Sequence, residues 1–233
     1  FIFISTQSIY GISMHKVLLK EAAEKNPITA YAKAKWDAEQ EILSLNSNDF
    51  CAIALRPATV FGWGSRIRND IIFNNLLMSG LKTGVISVHT DGKPSRPVVH
   101  VLDLVDCIIK LTEFDSKSIG GEAFNVGLWE GNYSVKEIAS IAASCLGKIP
   151  ILFGTEEVKD SRSYKVDVVK IYDAIGFKAT TNLNTGGEEI IYNFNRLNEK
   201  NKLNYFDKTI RIETIKQLLE NALIDENLSW IKH

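Results

Sequence analysis

No stretch of this sequence stays apolar for the ~20 residues a helix needs to cross a bilayer, and none of its 3 cysteines lies in a CxxC or a Cys/His cluster. Cys51, Cys107 and Cys145 are odd in number and widely spaced in apolar segments. That pattern excludes a disulfide framework and reads as three reduced core thiols in a cytoplasmic protein. No grouping of His, Asp and Glu suggests a metal site. An excess of either charge is missing too: 27 Lys and Arg against 28 Asp and Glu leave a net charge of −1. The chain therefore lacks the basic footprint of a nucleic-acid binder, and an anionic ligand would have to be held by a few placed arginines. The 5 prolines form no linker, and there is no repeat or low-complexity run. The sequence opens directly on an apolar strand at Phe1, so a secretory route is not expected and the glycosylation patterns at Asn132 and Asn227 read as chance matches.

What is present is ordinary for a globular protein: 45% hydrophobic and 24% charged residues over 233 positions, enough for one large domain or two interwoven ones. The opening "FIFISTQSIYG" is a buried strand already under way, running into two hydroxyls and a turn at Tyr10–Gly11. Strand-like runs lie at 1–5, the opening one, and at 51–55, 85–88, 98–101, 123–126 and 150–153. Helical periodicity falls at about 31–45, 69–82, 102–113, 134–146, 167–174, 186–199 and 209–223. Strands alternating with helices argue an α/β fold with a largely parallel sheet. From about 127 onward the chain reads as a helical lobe beside that sheet, and the amphipathic tail ending near Trp230 reads as an element docked on its own domain.

The stretch "ITAYAKAKWDAEQEIL" carries the chemistry. Tyr31 and Lys35 are four apart on a helix, so both project from one face. A phenol with an unperturbed pKa of about 10 is a poor base near neutrality, and a neighbouring ammonium stabilises its phenolate. A hydroxyl on the other side could polarise a substrate oxygen while the phenol moves a proton. Thr6, at the C-terminal end of a parallel strand, stands where such a donor is needed, because ligands bind at that sheet edge. By itself YxxxK is a weak signal; the hydroxyl-ended strand before it and the Arg-Pro-ended strand after it raise its weight.

Taken with "YAKAKWDAE", "LRPATVFGWG" and "SRPVVHVLDLVDCI", the opening stretch resembles the extended short-chain dehydrogenase/reductases, in the NAD-dependent epimerase/dehydratase family of nucleotide-sugar enzymes. Weaker similarity continues through "EAFNVG" and "SRSYKVDVVKIYDAIGF". The resemblance implies a Rossmann-like doubly wound parallel sheet with a smaller α/β substrate-binding lobe. Residues 1–65 and 98–126 would be the C-terminal half of the NAD-binding domain, and 66–97 and 127–233 the nucleotide-sugar lobe. Members of the family begin with a GxxGxxG turn that cradles the dinucleotide, and no GxxGxxG occurs here. The expectation is a chain lacking its first βαβ units and inactive by itself.

The resemblance also implies roles. Tyr31 is the acid/base for a sugar hydroxyl, Lys35 supports its phenolate and bonds the nicotinamide ribose, and Thr6 donates to the same sugar oxygen. Ser5 and Pro57 line the nicotinamide pocket. Thr59, Asn75 (with Asn74 as its substitute), Arg96 and Arg162 face the nucleotide-diphosphate sugar. The bland readings stand beside these: Pro57 ends a strand, Arg66 and Arg68 are a solvated loop, Asp103 caps a helix, His100 is a structural histidine and His15 is exposed. Sugar 4,6-dehydratases carry Asp-Glu directly after the catalytic hydroxyl, whereas Gln7 and Ser8 follow Thr6. The expectation is an NAD-dependent nucleotide-sugar epimerase, with a reductase or dehydrogenase, or a non-catalytic sensor or scaffold, as alternatives. NADP stays open as cofactor. The family implies a homodimer through the Tyr31 helix, whose Ala30, Ala34 and Ala38 permit close packing against a partner or the sheet.

Overall fold

A computed structural model describes residues 1–13, 17–64, 67–154, 163–197 and 211–231. Three small sheets carry the fold. In the first, β1 (Ile2–Ile4), β2 (Ile53–Pro57) and β6 (Ala123–Val126) run parallel, in the order β1-β2-β6. In the second, β3 (Thr59–Phe61) pairs parallel with β5 (Ser95–His100), which pairs antiparallel with β7 (Asn132–Ser134). The third joins β4 (Ile86–Val88) and β8 (Ile151–Phe153) in parallel. The connections are helical: α1 (Ala30–Ser44), α2 (Ile72–Thr83), α3 (Val101–Thr112), the single turn α4 (Ser116–Ile119), α5 (Val135–Cys145), α6 (Val169–Ile175), α7 (Leu183–Asn195) and α8 (Arg211–Glu220). The α/β class and the parallel sheet expected from the alternation are present.

Local chemistry sets the element ends. Thr29 caps α1 by accepting from Ala32 N at 3.1 Å. Ser134 and Glu137 close a capping box at α5, and Asn182 caps α7. Asp103 does not cap α3: it lies inside the first turn, where its Oδ2 accepts from Thr181 N at 2.9 Å. The cap is His100, whose Nδ1 accepts from Leu102 N at 3.4 Å. Strands β3 (TVF) and β7 (NYS) went unread because each mixes polar with apolar residues in three positions and so forms no apolar run. In β7 the glycosylation-pattern Asn132 is engaged, accepting from Val166 N at 2.8 Å and donating to Val166 O at 3.0 Å.

Two large apolar clusters, with a small third one of Ile9, Tyr10, Tyr164 and Val166, fill the interior of the described residues. One gathers Leu55, Val99, Leu104, Phe124 and Val126 around the first sheet. The other gathers Phe61, Phe73, Val98, Ile138 and Leu183 beneath α2, α5 and α7. Strand β5 serves both: Val98 and Val99 are each 0% exposed, and pleating sends them to opposite clusters. Ile171, Ile175, Phe177 and Ala179, which the sequence ranges placed in the smaller lobe, pack instead with Phe124 and Val126 in the first cluster. In the tail Ile224 is buried and Trp230 is exposed.

No disulfide joins the cysteines. Cys107 is 0% exposed, and burial pushes its thiol up to about 12. Folded protein should therefore be alkylated at half-buried Cys51 while Cys107 is spared until unfolding, which peptide mapping after iodoacetamide treatment would show. The sign of the linked pH effect follows. An unfolded chain releases this proton near the ordinary value of 9.0, so the stability held by the protonated thiol is lost as pH rises from there toward about 12.

Candidate active site

The carboxyl end of β1 and the start of α1 meet at one cleft of about 770 Å³, within the range of small-molecule sites. Ser5, Thr6, Tyr31, Lys35, Pro57, Thr59 and Arg96 all line it. Thr6 holds an extended backbone and its Oγ1 accepts from Ser8 N at 3.1 Å. That bond occupies a lone pair and leaves the hydroxyl its own proton to donate. Lys35 Nζ donates to Ile4 O at 2.7 Å and lies 4.8 Å from the centre of the Phe3 ring. Two further N–H donors remain on the ammonium. Tyr31 is 55% exposed at the cleft wall. Ser5 is 1% exposed, and its Oγ has no partner among the described residues.

The remaining site candidates are placed as follows. Arg96 donates Nη1 to Ser95 O at 3.0 Å. Asn75 does not line the cleft; it is exposed and donates to Asn69 O at 2.8 Å. Its neighbour Asn74 does line it, because one step along a helix turns a side chain by about 100°. Arg162, Arg66 and His15 lie outside the described residues. Arg68, read as loop, lines the cleft in a two-pronged bond with Asp70, Nε–Oδ1 2.7 Å and Nη2–Oδ2 2.6 Å. That bond, more than Asp70's charge or the smaller influence of Tyr31, raises Arg68 above its ordinary value against desolvation.

Residues that sequence reasoning missed complete the walls: Ser8, Phe61, Trp63 and Tyr164. The block "VFGWG" signalled two of them. Gly62 in that block has φ +122°, and a Cβ there would lie 2.5 Å from His100 Nε2. Asn74 holds the same residue from the other side, its Oδ1 accepting from Gly62 N at 3.2 Å. Behind the loop, buried His100 meets Glu189 Oε2 through Nε2 at 2.7 Å, so its structural reading holds. Gly62→Ala should cost about 1–3 kcal/mol through backbone strain and displace Trp63. Urea unfolding would measure the first effect and tryptophan fluorescence the second.

Beneath the cleft runs a buried polar network. Arg56 Nε donates to Glu39 Oε1 at 3.0 Å and Oε2 at 3.2 Å, and Nη2 also reaches Oε1. Arg56 Nη1 donates to Tyr10 Oη at 3.0 Å and to Glu21 O at 2.9 Å. Tyr10 Oη donates onward to Asn125 Oδ1 at 2.8 Å, and Asn125 Nδ2 donates to Leu19 O and Asp167 O. Burial pushes the Tyr10 phenol up despite the nearby Arg56 guanidinium, which keeps its proton available for Asn125. Gln7, where a dehydratase would carry its Asp, is buried and donates Nε2 to Arg56 O at 3.1 Å and Val126 O at 3.2 Å.

A family model described as "NAD dependent epimerase/dehydratase family" matches residues 1–127. The uncharacterized UDP-glucose epimerase YtcB of Bacillus subtilis (strain 168) is 27% identical over 196 residues, covering 82% of this chain and 60% of its own. UDP-glucuronic acid decarboxylase 4 of Arabidopsis thaliana is 26% identical over 196 residues, covering 80% and 42%. The crystal structure of UDP-glucuronic acid 4-epimerase from Bacillus cereus, in complex with UDP-glucuronic acid and NAD, superposes with a TM-score of 0.71 at 26% identity, covering 82% of this chain and 60% of that one. The chain thus spans between 42% and 60% of the length of these relatives. With the parallel α/β fold and the family model agreeing over more than half its residues, this chain belongs to the NAD-dependent epimerase/dehydratase family.

Proposed function

We propose that the protein carrying this chain is an NAD-dependent nucleotide-sugar epimerase that oxidises a sugar hydroxyl transiently, with Tyr31 as acid/base. The observation that carries this reading is the meeting of Thr6, Tyr31 and Lys35 at one cleft, with Thr6 Oγ1 accepting from the Ser8 N–H and so keeping its own proton to donate. Tyr31 Oη takes the proton of the sugar hydroxyl and later returns it. Thr6 donates to the same oxygen and holds it in place. Lys35, stationed at the Ile4 carbonyl, stabilises the phenolate.

The donors present fit the nicotinamide end of the cofactor: Lys35 with two N–H groups to offer a ribose, and the orphaned Ser5 hydroxyl at the cleft floor. What bound NAD supplies is a place to store a hydride and return it. NADP is the other cofactor this donor set accepts. The substrate is a nucleotide-diphosphate sugar, whose diphosphate suits the Arg96 guanidinium with Arg162, and whose sugar faces Thr59. Gln7 favours epimerisation over dehydration, since its amide is committed to two backbone carbonyls and offers no acid or base for eliminating water. No helix among the described residues is long and apolar enough to cross a membrane; we place the enzyme in the cytoplasm on its cysteines, as a homodimer through α1, where Ala30 and Ala34 are exposed.

The test is a product assay with UDP-glucose and UDP-glucuronic acid, read by NMR and by absorbance at the nicotinamide band. Isomer formed without net change in nicotinamide supports the reading. A stoichiometric absorbance change makes the protein a reductase or dehydrogenase instead.

A further inference from the structure

Glu39 and Arg56 are 0% and 3% exposed, and pairing two charges so deep gains little stability over apolar residues of the same size. What such a pair does fix is direction. A guanidinium fork accepts a carboxylate in its own plane, and here Nε and Nη2 both engage Glu39. Glu39 stands four residues past Lys35 and eight past Tyr31, one helix face with a drift of about 40° per four residues. Arg56 cannot slide to follow its partner. Its carbonyl accepts from Gln7 Nε2, its Nη1 is held by Tyr10 Oη and Glu21 O, and Asn125 anchors Tyr10 in turn. The residue after Arg56 is Pro57, at the cleft. The network therefore joins the end of β2 to the face of α1 that carries the site, while Lys35 Nζ on Ile4 O ties the same helix to β1.

We propose that the Arg56–Glu39 pair is a positioning device: it sets the rotation of α1 and so fixes where Tyr31 and Lys35 stand against Ile4 and Thr6. The proposal rests on the acid/base role of Tyr31 for its catalytic consequence. A displacement of ~1 Å at a reacting group costs about 10²-fold in rate, so a small rotation would be felt in turnover before it is felt in folding.

The experiment compares Glu39→Gln, Arg56→Lys and the apolar double variant Glu39→Leu/Arg56→Met with the wild-type protein. It reads melting temperature, kcat, KM and the tyrosine ¹³Cζ spectrum, with the Tyr31 resonance assigned by its loss in Tyr31→Phe. Glu39→Gln and Arg56→Lys should each lower kcat at least tenfold with KM within about threefold, and should move the Tyr31 resonance while exposed Tyr192 on α7 stays. The double variant should regain melting temperature without regaining kcat or the Tyr31 resonance. If it regains all three, or if Glu39→Gln leaves the resonance in place, the pair is structural only and the proposal is overturned. Should the double variant fail to fold, Glu39→Gln decides alone. A wild-type protein without turnover would sink the epimerase reading, yet the resonance comparison would still decide on the pair.

Discussion

Tyr31→Phe should cut turnover on a nucleotide-sugar by about 10³-fold, the middle of the range for removing a positioned acid/base. Phe keeps the ring and removes one oxygen, so nothing else about the wall changes. Because Tyr31 is more than half exposed, unfolding free energy should stay within about 0.5 kcal/mol of wild type. Steady-state product analysis with a urea melt on the same preparation checks both halves at once. Turnover that survives the substitution would assign the proton transfer elsewhere, whereas unchanged cellular function in a Tyr31→Phe strain whose protein has lost turnover would favour a sensor or scaffold over an enzyme.

Arg56→Met should produce the largest loss of stability, about 3–5 kcal/mol by chemical denaturation. It strands the Glu39 carboxylate, 0% exposed, without its hydrogen-bonded guanidinium and with Lys25 left as a charge that acts on it without a hydrogen bond. The loss would exceed that of an ordinary buried truncation of similar volume because the missing methylenes are the lesser part of it; the unpaired charge is the greater. Adding Glu39→Leu removes that charge and should restore most of the loss. If Arg56→Met alone unfolds with wild-type midpoint and slope, the pair carries no energetic weight and the dense polar network around it is incidental.

The strands β1, β2, β5 and β6 were legible because their apolar runs are flanked by turn residues, and α1 because of its helical periodicity and the four-residue spacing of Tyr31 and Lys35. The place of Thr6 at the cleft was legible from the rule that ligands gather at the carboxyl edge of parallel strands. The network under the cleft was not legible. Arg56 reads as the polar end of an apolar strand and Glu39 as the outer face of a helix, and a sequence pattern carries no sign that two such residues 17 positions apart meet. Tyr10 and Asn125 are 115 apart. Asn74 and Asn75 differ only by helix phase, which the periodicity fixes to a turn and not to a residue. Asp103 looked like a cap because it opens the helix pattern; His100 took that place because the strand runs directly into α3 with no loop between them.

Strand β5 has a consequence for motion. Clamshell closure needs a few residues whose dihedrals can change without tearing contacts. At the seam between the two clusters the chain offers Val98 and Val99, both 0% exposed and committed to opposite sides. The two halves are thus welded along β5. Any opening of the cleft should then fall to its rim, to Gly62–Trp63–Gly64 and the Arg68–Asp70 pair, and the two large clusters should melt together, which coincident urea transitions by tryptophan fluorescence and circular dichroism would show.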